Sequence, residues 1–221
     1  MTVSFVSASA VQAATMTLPA HQAGDLIILM AHCAINASPV VPAGWASPQI
    51  RNSSPRGAAL AYKTALSSAE TSGTWGQTNG LMAVVYRDNA NYLVIGGVSL
   101  GESTNTTVPF AGLAVKNASS NVKMRSDSAV IAMGVWANAN NTTMEQSPTG
   151  TTNRLNFVGA NYEAAWHDTP SPVASIAATT ITANVAVVTM SFTMEILDTG
   201  APKTSTGGIL VGSGMSGGMR G

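Results

Sequence analysis

Between Val188 and Ile196 apolar and polar residues alternate strictly: Val188, Met190, Phe192, Met194 and Ile196 against Thr189, Ser191, Thr193 and Glu195. A repeat of two sends successive side chains to opposite faces of an extended chain, so this segment predicts a strand with one buried and one wet face. "VSFVSASAV" near the start and "AALAYKTAL" around Leu60 to Leu66 alternate less cleanly, but their β-branched and aromatic residues favour strand. "LMAVVYR" (81–87), "YLVIGGV" (92–98) and "SAVIAMGVWA" (128–137) are short apolar runs. Period alone fits such a run equally to a strand buried on both faces and to a helix fragment; length and turn-forming flanks select strand.

Clusters rich in Pro, Gly, Asn and Ser separate the runs: "NASPVVPAG", "RNSSPRG", "GESTNTTVP", "ANANNTT" and "HDTPSP". No segment sustains a helical period, and "SSAETSG" (67–73) has room for one helical turn at most. The pattern predicts an all-β chain: an antiparallel two-sheet sandwich, jelly-roll-like, over residues 1–197. From Asp198 to Gly221 the composition turns glycine-rich, with one aliphatic knot, Ile209, Leu210 and Val211. Such a segment buries too little on its own to offset chain entropy, so it is expected to act as an assembly arm held by a neighbour.

Composition sharpens this picture. Charged residues make up 9 % of the 221, against roughly a quarter in ordinary soluble domains. Ser, Thr, Asn, Ala and Gly must therefore cover much of the surface, and such a surface loses little when it is buried against a copy of itself. Ten Lys and Arg balance ten Asp and Glu, so no long-range field draws in nucleic acid or an anionic membrane. No apolar run reaches the length of about 20 residues needed to span a bilayer as a helix. The first residues lack the basic start and continuous apolar stretch of an export signal. The single cysteine, Cys33, permits no internal disulfide.

Candidate chemistry is sparse. "LPAHQAGDLIILMAHC" (18–33) gathers His21, Asp25, His32 and Cys33, but without the paired spacing of a zinc or iron site. Asp25 and His32 would lie about 23 Å apart on an extended chain and point to opposite faces. The expected reading is a turn at Pro19, Gly24 and Asp25 feeding a core strand that ends at His32 and Cys33. In the arm, Gly212 to Gly217 matches G-x-G-x-x-G and Gly214 to Gly218 matches G-x-S-x-G. Neither is followed by the helix its chemistry requires. Glu163, Asp168 and Glu195 are the carboxylates available to a polysaccharide hydrolase, and Trp166-His167-Asp168 is the most suggestive cluster, more in keeping with a strand end than a catalytic dyad. Trp45, Trp136 and Trp166 are candidate platforms for stacking a sugar ring, against a simpler role as core anchors. No cofactor or metal is expected.

The order of Gly24-Asp25, Pro42, Gly44-Trp45, Tyr62-Lys63, Glu70-Thr71, Trp75 and Tyr86-Arg87 resembles a family of β-sandwich domains found in tailed-phage virion proteins. The likeness covers about the first 90 residues, and "SDSAVIAMGVW" and the final alternating strand continue it loosely. It implies a non-enzymatic virion structural protein of a bacteriophage, such as a tail fibre, spike, collar or head-decoration subunit. It implies a homo-oligomer, trimeric or higher, touching other virion proteins, and carries over no active-site residue. The alternative expectation is a host-glycan-binding module of the adsorption apparatus.

Overall fold

The computed structural model describes residues 3–53, 56–114, 130–137, 146–160, 162–170, 173, 175–184 and 186–203. Strands β1 (Ser4–Val11), β2 (Leu26–Cys33), β3 (Ala46–Ser53), β4 (Arg56–Thr64) and β5 (Gly80–Arg87) form one antiparallel sheet in the order β1-β5-β2-β4-β3. They are followed by β6 (Asn91–Ser103), β7 (Thr107–Phe110), β8 (Leu113–Ala114), β9 (Val130–Ala137), β10 (Thr152–Val158), β11 (Glu163–Asp168), β12 (Ser175–Ile176), β13 (Thr179–Thr182) and β14 (Thr189–Pro202). The second large sheet runs β10-β11-β9-β14-β6, and the short pairs β7–β13 and β8–β12 stand apart from it. The expected all-β antiparallel sandwich is the fold of the chain. Among the described strands the winding is local in sequence, one large sheet from each half, without interleaving between the two.

Three apolar layers explain the continuous runs. Leu26, Ile28, Met30, Leu60, Met82 and Val84 meet Ala132, Trp136, Trp166, Met190, Phe192 and Met194 between the sheets. On the outer face of the first sheet, Ile27, Leu29, Ala59, Leu81 and Val85 are covered by Leu18 and Trp75 from the connecting loops. On the outer face of the second, Ile131, Met133 and Val135 lie beneath Val108, Phe110 and Ile181 of the β7–β13 pair. Strands apolar on both faces need a cover on both faces, which is why "LIILMA" and "VIAMGVW" show no alternation.

That third layer overturns the reading of β14 as half wet. Thr189, Ser191, Thr193 and Glu195 are all buried, at most 1 % exposed. Small hydroxyl residues tolerate this when a backbone carbonyl lies in reach; Ser191 Oγ donates to Pro109 O of β7. Glu195 sits opposite a β-bulge, since Met194 pairs with Val98 but Ile196 with Ile95, leaving Gly96 and Gly97 facing one residue. Its Oε2 accepts the Gly97 N–H at 3.0 Å. A Cβ on Gly96 would collide with the Glu195 carboxylate and lie 2.8 Å from Leu197 Cδ1. Gly96→Ala should therefore cost about 1–3 kcal/mol, read as a lowered urea midpoint; an unchanged midpoint would contradict this packing.

β14 continues past Asp198 to Pro202, so the glycine-rich composition begins inside a strand. Asp198 is buried and accepts Asn91 Nδ2 at 2.9 Å. Ile209, Leu210 and Val211, and the "ANANNTT" loop apart from Ala137, lie outside the described residues. "SSAETSG" forms a short turn and no helix, within the one-turn limit expected, with Leu66 N donating to Glu70 Oε1 at 2.9 Å.

Candidate functional site

The residues singled out for chemistry fall at two ends of the sandwich. β11 carries Trp166 and Asp168 on its inner face and His167 on its outer face, as alternation requires. Trp166 belongs to the inter-sheet core, while His167 stands edge-on to Phe110, ring centroids 6.2 Å apart. His167 and Asp168 therefore form no dyad. Asp168 instead joins the sheets: its Oδ2 accepts the Tyr86 hydroxyl at 2.8 Å, and that hydroxyl accepts Trp166 Nε1–H at 2.8 Å. Asp168 Oδ1 accepts Arg154 Nε at 2.8 Å, and the Arg154 guanidinium lies 5.0 Å from the Phe5 ring centroid. Burial pushes the Asp168 carboxyl upward, and the hydrogen bonds from Arg154 and Tyr86 pull it back. Burial, joined by the Asp168 charge, drives the Tyr86 phenol well above its ordinary value. A cavity of about 300 Å³ opens beside this network, bounded by Val3, Phe5, Val130 and Arg154.

A second clamp lies at the same end. Arg87 grips Asp25 with two bonds, Nε to Oδ1 at 2.7 Å and Nη2 to Oδ2 at 2.6 Å. Asp25 is wholly buried and also accepts Gln22 N–H. Gly24 has a φ of +85°, the left-handed region that favours glycine, whereas a Cβ would meet only the flexible end of Lys203. Asp25 and His32 stand at opposite ends of β2, as the spacing predicts. His21 is held in place by loops, its Nδ1–H donating to Pro19 O at 2.7 Å and its Nε2 accepting Glu70 N–H at 3.2 Å.

The tryptophans need correction as sugar platforms. Trp136 and Trp166 are 0 % exposed, and stacking on a sugar needs an open ring face. Each ring lies on a glycine of a strand: a Cβ at Gly80 would be 2.7 Å from Trp136 Cη2, and one at Gly134 would be 2.6 Å from Trp166 Cζ3. Trp45 is half-buried, edge-on to Trp75, with Lys63 Nζ 4.7 Å above its ring. Lys63 is anchored in turn by Glu70 at 2.7 Å and by Thr71 O at 3.0 Å, and both indole N–H groups donate to Ser72 O.

Glu163, Asp168 and Glu195 do not converge. Glu163 and Asp168 sit at opposite ends of β11, about 17 Å apart at 3.3 Å per residue, well beyond the roughly 5–10 Å of a glycosidase pair. Glu195 lies on the other face from Asp168. Arg154 was missed by sequence reasoning. The signal available was one cationic residue inside "TNRLNFV", a position that reads equally as solvated. Among the described residues, no group of three or more His, Cys, Asp or Glu is placed to hold a metal.

No family model, no curated protein and no solved structure matches this chain.

Proposed function

We propose that the chain is a non-enzymatic structural subunit of a tailed-phage virion, a symmetric oligomer on the particle surface whose terminal segments dock to neighbours. One observation carries the reading. The polar and aromatic residues that carry the phage-domain resemblance serve as braces: Asp25 with Arg87, Lys63 with Glu70 beneath Trp45, and Tyr86 with Asp168 across the sheets. Groups engaged in holding turns and sheets together are unavailable to a substrate. The low charge content supports burial against sister copies. The glycan-binding alternative keeps only Trp45 of its three platforms, and Glu163, Asp168 and Glu195 are not placed as the pair that the hydrolase alternative needs.

Light scattering on the purified full-length chain should give a trimer or larger species, and antibodies against it should decorate intact particles in electron micrographs. A chain that stays single at high concentration and never labels a particle would refute the proposal.

A further inference from the structure

We infer that the C-terminal arm of one copy seats Ile209, Leu210 and Val211 in an apolar groove of the next copy, beside the edge of β6 that pairs with no described strand. This inference rests on the assembly reading above and names the receiving surface. The groove, about 640 Å³, is lined by Leu100, Pro109, Phe110, Ala111, Ala178 and Thr180 among others. Gly101 shapes it: a Cβ there would collide with Pro109 O, so glycine lets β7 lie directly on the sheet margin. β6 is the terminal strand of its sheet and pairs only with β14 among the described strands. Its outer row of N–H and C=O groups is a template for an added strand.

The other edges are less suited. β1 and β10 face each other across one side of the sandwich, where Ala160 N donates to Gln12 Oε1 at 2.9 Å and Arg154 covers Phe5. β3 contains Pro48 in its register shift between Ala46 and Gln49, and proline removes a donor from an edge.

Chain length decides between the copy's own arm and a neighbour's. Lys203 N donates to Ala90 O, next to the Pro202–Asn91 pair, so the arm departs at the Asn91 end of β6. The groove lies at Leu100 to Glu102, nine to eleven residues from Asn91 and so about 30–36 Å along the strand at 3.3 Å per residue. Ile209 is six residues beyond Lys203, a reach of about 20 Å even fully extended. β14 runs antiparallel to β6, so the arm also leaves pointing away from the groove and must turn back. It falls short in its own chain, and only a second copy can supply the knot. In that knot "ILV" is the one aliphatic run after Lys203, and its β-branched ends suit an added strand. An arm leaving one end and a groove near the other make a heterologous contact, which closes into a ring when the rotation permits.

The test uses full-length chains. Thr180→Cys and Leu210→Cys are made separately, mixed and oxidised; a covalent pair with one chain of each kind is expected, and neither variant alone should give it. Ile209→Ser, Leu210→Ser and Val211→Ser together should weaken self-association at least tenfold by light scattering. Ala178→Glu, at an exposed groove position, should do the same with its unfolding midpoint unchanged. Self-association that survives these changes, or oxidation that yields no mixed pair, overturns the groove as receiver and leaves the virion reading standing. A wild-type chain that is single and absent from particles overturns both.

Discussion

Lowering the pH from 6.5 to 4.5 should remove about 5 kcal/mol of folding stability, through two histidines that the fold holds neutral. Burial keeps His167 down at about 4. Burial first, and then the nearby Arg56 charge, bring His32 to about 3. Neither ring nitrogen of either residue has a hydrogen-bond partner among the described residues. His32 is stacked on Trp136 at 5.7 Å between ring centroids and lies 5.2 Å from Tyr162, aromatic surroundings that offer an imidazolium no acceptor among the described residues. In the unfolded chain both titrate near the ordinary 6.5. Below that pH the unfolded state binds protons that the folded state refuses, so stability falls as pH falls. Each histidine contributes about 1.4 kcal/mol per pH unit, until its folded value is reached. Asp168 acts in the opposite sense, because a raised folded value gives it stability on protonation, but it is one group against two. Since ordinary domains hold only about 5–15 kcal/mol in reserve, the chain should approach unfolding near pH 4. Urea titrations at pH 7, 5.5 and 4.5 read this directly. His32→Phe with His167→Leu should flatten the profile over that interval, and a wild-type profile already flat would show that the rings find partners in solution.

These histidines also show what could be read from the sequence. "LIILMAHC" declared a core strand through its length and flanks, and the structure puts His32 at the end of it, as its spacing from Asp25 implied. Nothing local said that the ring would be enclosed, because the enclosing Trp136 and Tyr162 arrive more than a hundred residues later. The same reason defeats the wet-face reading of β14. Period two reports that Thr189, Ser191, Thr193 and Glu195 share a face, and it cannot report that β7 and β13 will later cover it. The tryptophans were partly legible in the glycines: "WGQTNG" and "MGVW" place small residues where a strand must accept a ring. Matching Gly80 to Trp136 and Gly134 to Trp166 requires the pairing of the sheets, which no single segment encodes. Strand positions were thus set by local pattern, while the polar braces depend on register between distant strands.

The brace around Asp168 gives the second large effect: Asp168→Ala should cost about 3–5 kcal/mol. The carboxylate is 1 % exposed and answers two donors at once. Its loss leaves the Tyr86 hydroxyl proton without an acceptor in the core and frees a guanidinium that is 27 % exposed. Arg154 can regain water, so the buried phenol bears most of the penalty. Tyr86→Phe breaks the same unit from the other side, orphaning Trp166 Nε1–H and Asp168 Oδ2 for about 1–3 kcal/mol each. Because both variants disrupt one network, their costs should not add, and the double variant should fall short of the sum by at least about 1 kcal/mol. Asp168→Asn separates charge from geometry: its amide oxygen can accept one of the two donors, so it should lie between wild type and Asp168→Ala. Denaturant midpoints at pH 7 for wild type, Asp168→Ala, Tyr86→Phe and the double variant complete the cycle. Strict additivity would mean that Tyr86 and Asp168 stabilise the sheets independently, and the picture of one inter-sheet brace would then be wrong.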